Sequence, residues 1–179
     1  MENLTPAHSL FHSFCVRPKA KFESQMANEP VLLLLRAHPV TQVPWLINGF
    51  LLFVLLVLLN QLFSSALTSA QVLYINISAV VFIFGYYWFK FLSYFFNAGI
   101  ITPLRVVDID FHAVIYKEVT EAQLKNVEDI TAKSGGYAAS LFNFGDVFVQ
   151  TAGSLVNIEF HRIPRPGDVV KIINSQIHK

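Results

Sequence analysis

The sequence predicts a membrane α-helical hairpin followed by a small antiparallel β-sandwich or barrel with a C-terminal capping helix. Three observations carry that reading. No Asp, Glu, Lys or Arg occurs between Arg36 and Lys90. Two apolar runs lie inside that stretch, 45–63 and 72–89, and the second continues past Lys90, which gives hairpin helices at about 45–63 and 72–96. Each holds a core of roughly 27–30 Å as a helix, matched to the hydrocarbon layer of a bilayer. From Ala98 onward the pattern changes to short segments that alternate apolar and polar residues between turn residues.

Composition sets the outer bounds. A hydrophobic content of 54% is high for a soluble chain, and the two runs account for it. A net charge of +1 gives no global field toward nucleic acid, so none is expected as a partner. One cysteine, Cys15, excludes an intrachain disulfide framework and a multi-cysteine metal site. The first residues lack a short apolar core with a small-residue cleavage site, so the first apolar helix is expected to be its own insertion signal.

Residues 1–28 read as an N-terminal tail. Leu10, Phe11 and Phe14, followed by Arg17, Lys19 and Lys21, also fit a short interfacial segment. His8 and His12 have helical i, i+4 spacing but no third ligand nearby, so no metal is assigned. Residues 29–97 form the pre-membrane segment and the hairpin. Residues 31–35 are apolar but too short to span, and fit a strand or a short helix. Pro39 and Pro44 break the backbone before the first long helix. That helix carries Asn48 and Gly49 near its start and Asn60 and Gln61 near its end; the second carries Asn76 and Ser78. Such small and polar residues hold helices together in lipid or are solvated at its edge. Trp45, Tyr86, Tyr87, Trp88 and Lys90 form an interfacial belt with a snorkelling lysine. Arg17, Lys19, Lys21 and Arg36 precede the hairpin, Lys90 and Arg105 follow it, and residues 64–71 between the helices carry no charge. The positive-inside rule then places both termini in the cytoplasm of a cell-membrane protein with two spans.

Residues 98–179 read as the β domain. Over 100–111, Val107, Ile109 and Phe111 share one face, and Asp108 and Asp110 share the other. Residues 114–119 and 126–132 are further strands, with a tight connection at His112-Ala113. Ser134-Gly135-Gly136 is a loop, and Phe142-Asn143-Phe144-Gly145-Asp146 a turn. Residues 147–151 and 155–163 form a hairpin across Ala152-Gly153-Ser154. The chain ends in a helix with Pro166 in its first turn and Val169, Ile173 and Ile177 in one stripe, placed to cap the sheet.

Several motifs occur in a telling order: Glu29, Arg36-Ala37-His38-Pro39, the charge-free hairpin, Thr102-Pro103-Leu104-Arg105, Phe144-Gly145-Asp146-Val147, and Ile163-Pro164-Arg165-Pro166. In that order they resemble the bacterial pleckstrin-homology-like membrane proteins, from Glu29 to the end of the chain. The resemblance implies a twisted antiparallel β-sandwich closed by a C-terminal helix. It does not imply an enzymatic activity. A different β-fold on the same anchor, such as an OB-type barrel, is the alternative.

No P-loop, Gly-x-Ser-x-Gly, His-Glu-x-x-His or dinucleotide fingerprint is present, and no enzyme activity or cofactor is assigned. Asp108 and Asp110 are read as a solvated β face. Three functions remain open. The first is a non-enzymatic, membrane-tethered interaction or scaffold module that binds a protein partner or another copy of itself. The second is a lipid-headgroup sensor, whose anionic-lipid patch would be Arg162, Arg165 and Lys171. The third is a subunit of a small pore or transporter lined by Asn48, Asn60 and Asn76. Residues 98–179 hold eight Lys/Arg against nine Asp/Glu, a balance that favours a protein contact over anionic lipid.

Overall fold

A computed structural model gives the fold and describes residues 12–19, 21–63, 65–112, 116–152 and 157–177. The charge-free stretch becomes two long helices, α1 (Val43–Phe63) and α2 (Ser69–Phe96). Both are long and apolar enough to cross a membrane. They present large apolar side chains outward, Leu62 at 72% and Phe82 at 70% exposure among them. The loop between them is shorter than the sequence suggests. Thr68 and Gln71 form a capping box: the Thr68 hydroxyl accepts from the Gln71 backbone N–H, and the Gln71 side-chain Oε1 accepts from the Thr68 backbone N–H.

Contacts near both ends join the helices. The Asn60 and Asn76 amides exchange hydrogen bonds at 2.7 and 2.9 Å, and each also donates to a carbonyl of its own helix, Leu56 or Val72. At the other end a Cβ on Gly49 would lie 2.3 Å from the Tyr87 ring, whose hydroxyl donates to the Leu46 carbonyl at 3.0 Å. Glycine at 49 therefore lets Tyr87 lie flat against α1.

Two antiparallel sheets make the rest. One has five strands in sequence order: β1 (Phe14–Val16), β2 (Leu33–Leu35), β3 (Ala98–Ile101), β4 (Arg105–His112) and β5 (Tyr116–Gln123). The other has three: β6 (Val127–Lys133), β7 (Phe144–Thr151) and β8 (Ile158–Pro164). A short helix, α3 (Tyr137–Phe142), joins β6 to β7, and α4 (Pro166–Ile177) closes the chain. The single strand read over 100–111 is two strands. Thr102 folds the chain back, its N–H donating to the Arg105 carbonyl and its hydroxyl accepting from the Leu104 and Arg105 N–H groups, with Pro103 pre-set for the turn.

The main core lies between the sheets. Leu33, Leu35, Ile101 and Val106 meet Val147, Val149, Ile158 and Phe160, and α4 adds Val169 and Ile173. The terminal stripe of the sequence thus does cover the sheet. A second cluster lies on the other face of the five-stranded sheet, where Cys15, Val31, Leu34, Ile100 and Val107 pack with Phe22 and Ile109.

The structure divides the chain differently from the boundaries at 28 and 97. The supposed tail supplies β1, and the pre-membrane segment supplies β2 as a strand. Leu34 pairs with Cys15 on one side and Ile100 on the other. Glu29 is wholly buried against Arg105, with its Oε2 2.8 Å from Nη2 and its Oε1 3.1 Å from Nε. A cut at Ala98 would strip β1 and β2 from the sheet and leave Arg105 without its partner. Residues Leu10 and Phe11, His8, the turn at Ala113 and the Gly153-Ser154 loop lie outside the described residues.

Ile173 is fully buried in the main core. Ile173→Asp in the full chain is expected to destabilise the β domain by about 2–5 kcal/mol, because it buries an unpaired carboxylate. Thermal unfolding in detergent, followed by the β-sheet dichroism, measures it; an unchanged midpoint would mean that α4 is not part of the core.

Candidate functional site

The chain leaves the β domain for α1 through His38. Its imidazole Nδ1 accepts from the Val40 N–H at 3.2 Å and caps a 3-10 turn, Pro39–Gln42, that runs directly into α1. The same ring stacks on Phe144 at 5.6 Å and lies 6.5 Å from Phe142, the last residue of α3. Burial holds its pKa below the ordinary histidine value. The His38 N–H donates to the Arg162 carbonyl at 2.7 Å. Arg36, two residues earlier, places its guanidinium over the Phe95 ring at 4.6 Å, at the end of α2. One small region, the hairpin root, therefore gathers the start of α1, the end of α2, α3 and the end of β8.

The root is shaped by unusual backbone. Asp146 of β7 stands opposite two residues, His161 and Arg162, because Gly145 pairs with Ile163 and Val147 with Phe160. Arg162 takes φ 52°, and its N–H donates to Asp146 Oδ1 at 2.7 Å. Arg165 also takes φ 52°, and its N–H donates to the Asn143 carbonyl at 2.9 Å. The left-handed region costs a residue with a Cβ about 1–2 kcal/mol, so two arginines sit where glycine would be cheaper. Gly145 is needed for another reason: a Cβ there would lie 2.5 Å from the Lys133 carbonyl oxygen.

A cleft of about 430 Å³ opens at this root between the sheets. Asp108, Asp110, Asp146, Glu159, His161 and Arg162 line it. His161 lies 3.7 Å from both Asp146 and Glu159. The sequence reading of Asp108 as solvated is corrected here. Its face is the inter-sheet face, shared with Val106, because Phe22 and Val31 pack on the opposite one. Burial first, and then the charge of Asp110, push its pKa up to about 7. Among the described residues, no group of three or more His, Cys, Asp or Glu side chains is arranged to hold a metal ion.

The residues singled out from sequence separate into three places. Arg162 and Arg165 stand together at the root, both exposed, with the Arg165 guanidinium 5.8 Å from the Phe14 ring. Lys171 is not with them; it lies on α4, 3.7 Å from Asp168. The belt residues form one aromatic level across both helices. Trp45 donates to Gln42 and meets Tyr87 edge-on at 5.6 Å, Tyr86 abuts Tyr87, Trp88 stacks on Phe84, and Lys90 is exposed. The sequence reading missed α3 and the role of His38. A second surface follows β5, the outer strand of its sheet, where residues 118–123, Asn126 and Thr151 line a groove of about 480 Å³. β5 carries the exposed side chains of Tyr116 and Val119.

Asp108 carries a testable pH signature. A carboxyl whose folded pKa is raised stabilises the fold fully below its unfolded value, and that contribution is lost as pH rises through about 7. Asp108→Asn is therefore expected to raise the melting temperature at pH 8 and change it little at pH 4. An equal effect at both pH values would show that folding leaves the Asp108 carboxyl unshifted, and would contradict this reading.

Compared with protein-family models, curated proteins and solved structures, the chain matches none.

Proposed function

We propose that this chain is a membrane-anchored, non-enzymatic interaction module of the pleckstrin-homology-like kind, facing the cytoplasm and working through a protein partner or a second copy. Its two apolar helices support the anchor. Two packed antiparallel sheets with α4 across them support the domain type, and so does the meeting of Glu29, Thr102 and Arg105, the motif residues on either side of the hairpin. The observation that carries the interaction is β5. It is an eight-residue outer strand beside an open groove, and an extended segment that adds to such an edge gains main-chain hydrogen bonds and side-chain pockets together. Lys117, Glu118 and Glu121 on this strand discourage indiscriminate pairing and leave room for a chosen partner.

A headgroup-sensing role is the second reading, favoured by the position of Arg162 and Arg165 at the hairpin root. The pore reading loses support, because Asn60 and Asn76 satisfy each other.

Two measurements test the proposal. In mild detergent the full chain is expected to run as a dimer or with a stoichiometric partner, and Val119→Lys to weaken that association about tenfold or more while preserving the fold, a cost of about 1.4 kcal/mol. A lone monomer, or association indifferent to Val119, contradicts it. For orientation Cys15 is a poor reporter, being only 2% exposed. Lys125→Cys in a Cys15→Ser chain is expected to react with a membrane-impermeant thiol reagent only after lysis; labelling in intact cells overturns the cytoplasmic placement.

A further inference from the structure

We infer that α3 is an interfacial anchor, its exposed apolar side chains lying in the headgroup layer of the bilayer that the hairpin crosses, with Arg162 and Arg165 beside it against anionic headgroups. The inference rests on the membrane reading proposed above. Among the described residues outside the hairpin, Tyr137 at 99% and Leu141 at 78% are the two most exposed large apolar side chains. They stand i, i+4 and so share one side of the helix, and Phe142 is 46% exposed beside them. Nothing in the fold of the β domain requires such residues there, since α3 contributes only Ala139 to the buried set.

Position identifies what covers them. Phe142 lies against His38, and His38 immediately precedes the membrane-length segment Pro39–Phe63. From His38 to Val43 the chain rises at most about 10 Å at 3-10 spacing. The headgroup layer is about 5–7 Å deep on each side, and a helix with its side chains is about 10 Å thick. α3 is thus one side-chain length from lipid, on an element that the hairpin cannot carry away from the membrane. On α3 itself charge agrees with position, while the adjoining cleft at the root holds Asp108, Asp110, Asp146 and Glu159 on the side of Arg162. Neither α3 nor the Ser134-Gly135-Gly136 loop before it holds an acidic residue. Arg165 is hydrogen-bonded to Asn143, the residue after α3, and Arg162 to His38. Exposed apolar residues flanked by arginines at the foot of a tether are the pattern of an interfacial helix. Because the hairpin already holds the domain at the surface, α3 needs no free affinity for vesicles; it fixes the domain's tilt and turns the β5 groove toward or away from the membrane.

Depth quenching tests this on the full chain. In a Cys15→Ser background, single cysteines at Leu141, Tyr137, Val57 and Lys125 carry an environment-sensitive nitrobenzoxadiazole probe. The protein is reconstituted in phosphatidylcholine vesicles with one-fifth phosphatidylglycerol, containing lipids brominated near the headgroup or deep in the chains. The probe at Val57, within α1, is expected to lose emission with deep bromines, and the probe at Lys125 to lose none. The probes at Leu141 and Tyr137 are expected to lose emission with shallow bromines. Quenching at Val57 without quenching at Leu141 or Tyr137 overturns the inference and leaves the hairpin intact. A blue-shifted but unquenched probe at Leu141 overturns it in favour of a protein covering α3. No quenching at Val57 overturns the membrane reading itself, and the inference falls with it.

Discussion

Glu29 and Arg105 face each other as a buried, two-pronged ion pair, and the rest of the molecule depends on their meeting. They are separated by 76 positions and by the whole hairpin. Burying two charges costs several kcal/mol, so the pair is tolerable only if every remaining polar site is filled. Here it is. Glu29 also accepts from the Thr102 hydroxyl at 2.7 Å and the Met26 N–H at 3.0 Å. Arg105 also donates to Glu121 at 2.6 Å and to the Ser24 carbonyl, and the Ser24 hydroxyl closes the circuit on Glu121. Burial alone would push the Glu29 carboxyl up; the hydrogen bonds from Arg105, Met26 and Thr102, together with the Arg105 charge, hold it below the usual range. Its contribution is present above the unfolded carboxylate pKa and fades as pH falls through the folded one, opposite in sign to that of Asp108.

The ion pair explains why a long apolar hairpin can interrupt a sheet. β2 and β3 are hydrogen-bonded neighbours, with Leu33 opposite Ile101 and Leu35 opposite Gly99. The two apolar helices are therefore the connection between adjacent strands, and the chain enters and leaves the hairpin at one point. Arg36 on Phe95, and Ser13 within 3.1 Å of the Tyr94 hydroxyl, tie that point to the end of α2. A domain rooted so closely keeps one end at the base of the hairpin, and α3, Arg162 and Arg165 share that end.

What was legible in the sequence follows from the range of the interactions involved. The hairpin could be read because absence of charge over a membrane thickness is a local property. The stripe of α4 and the alternation of β7 and β8 are local too. β1 and β2 could not be read by alternation. They are three residues each, and β2 is buried on both faces, so Leu33, Leu34 and Leu35 form a plain apolar run. α3, with six residues, is shorter than two helical turns. The capping box Thr68-x-x-Gln71 is a local signal as well. In β4 the alternation was read correctly, but which face is inside depends on Phe22 and Val31 covering the Val107 side, and no pattern within β4 contains that. Of the candidate site, the arginines could be named from sequence; their left-handed backbone and their position beside His38 required the fold.

The central claim is that a carboxylate before the hairpin holds the domain after it. A double-mutant cycle of Glu29→Ala, Arg105→Ala and the pair, measured by urea unfolding of the full chain in detergent, tests it most directly. Each single change is expected to cost about 3–5 kcal/mol, since each leaves a buried charge uncompensated. The double variant should cost far less than the sum, because the two changes remove one shared interaction. Losses that add, or a Glu29→Ala chain as stable as the parent, would contradict the account.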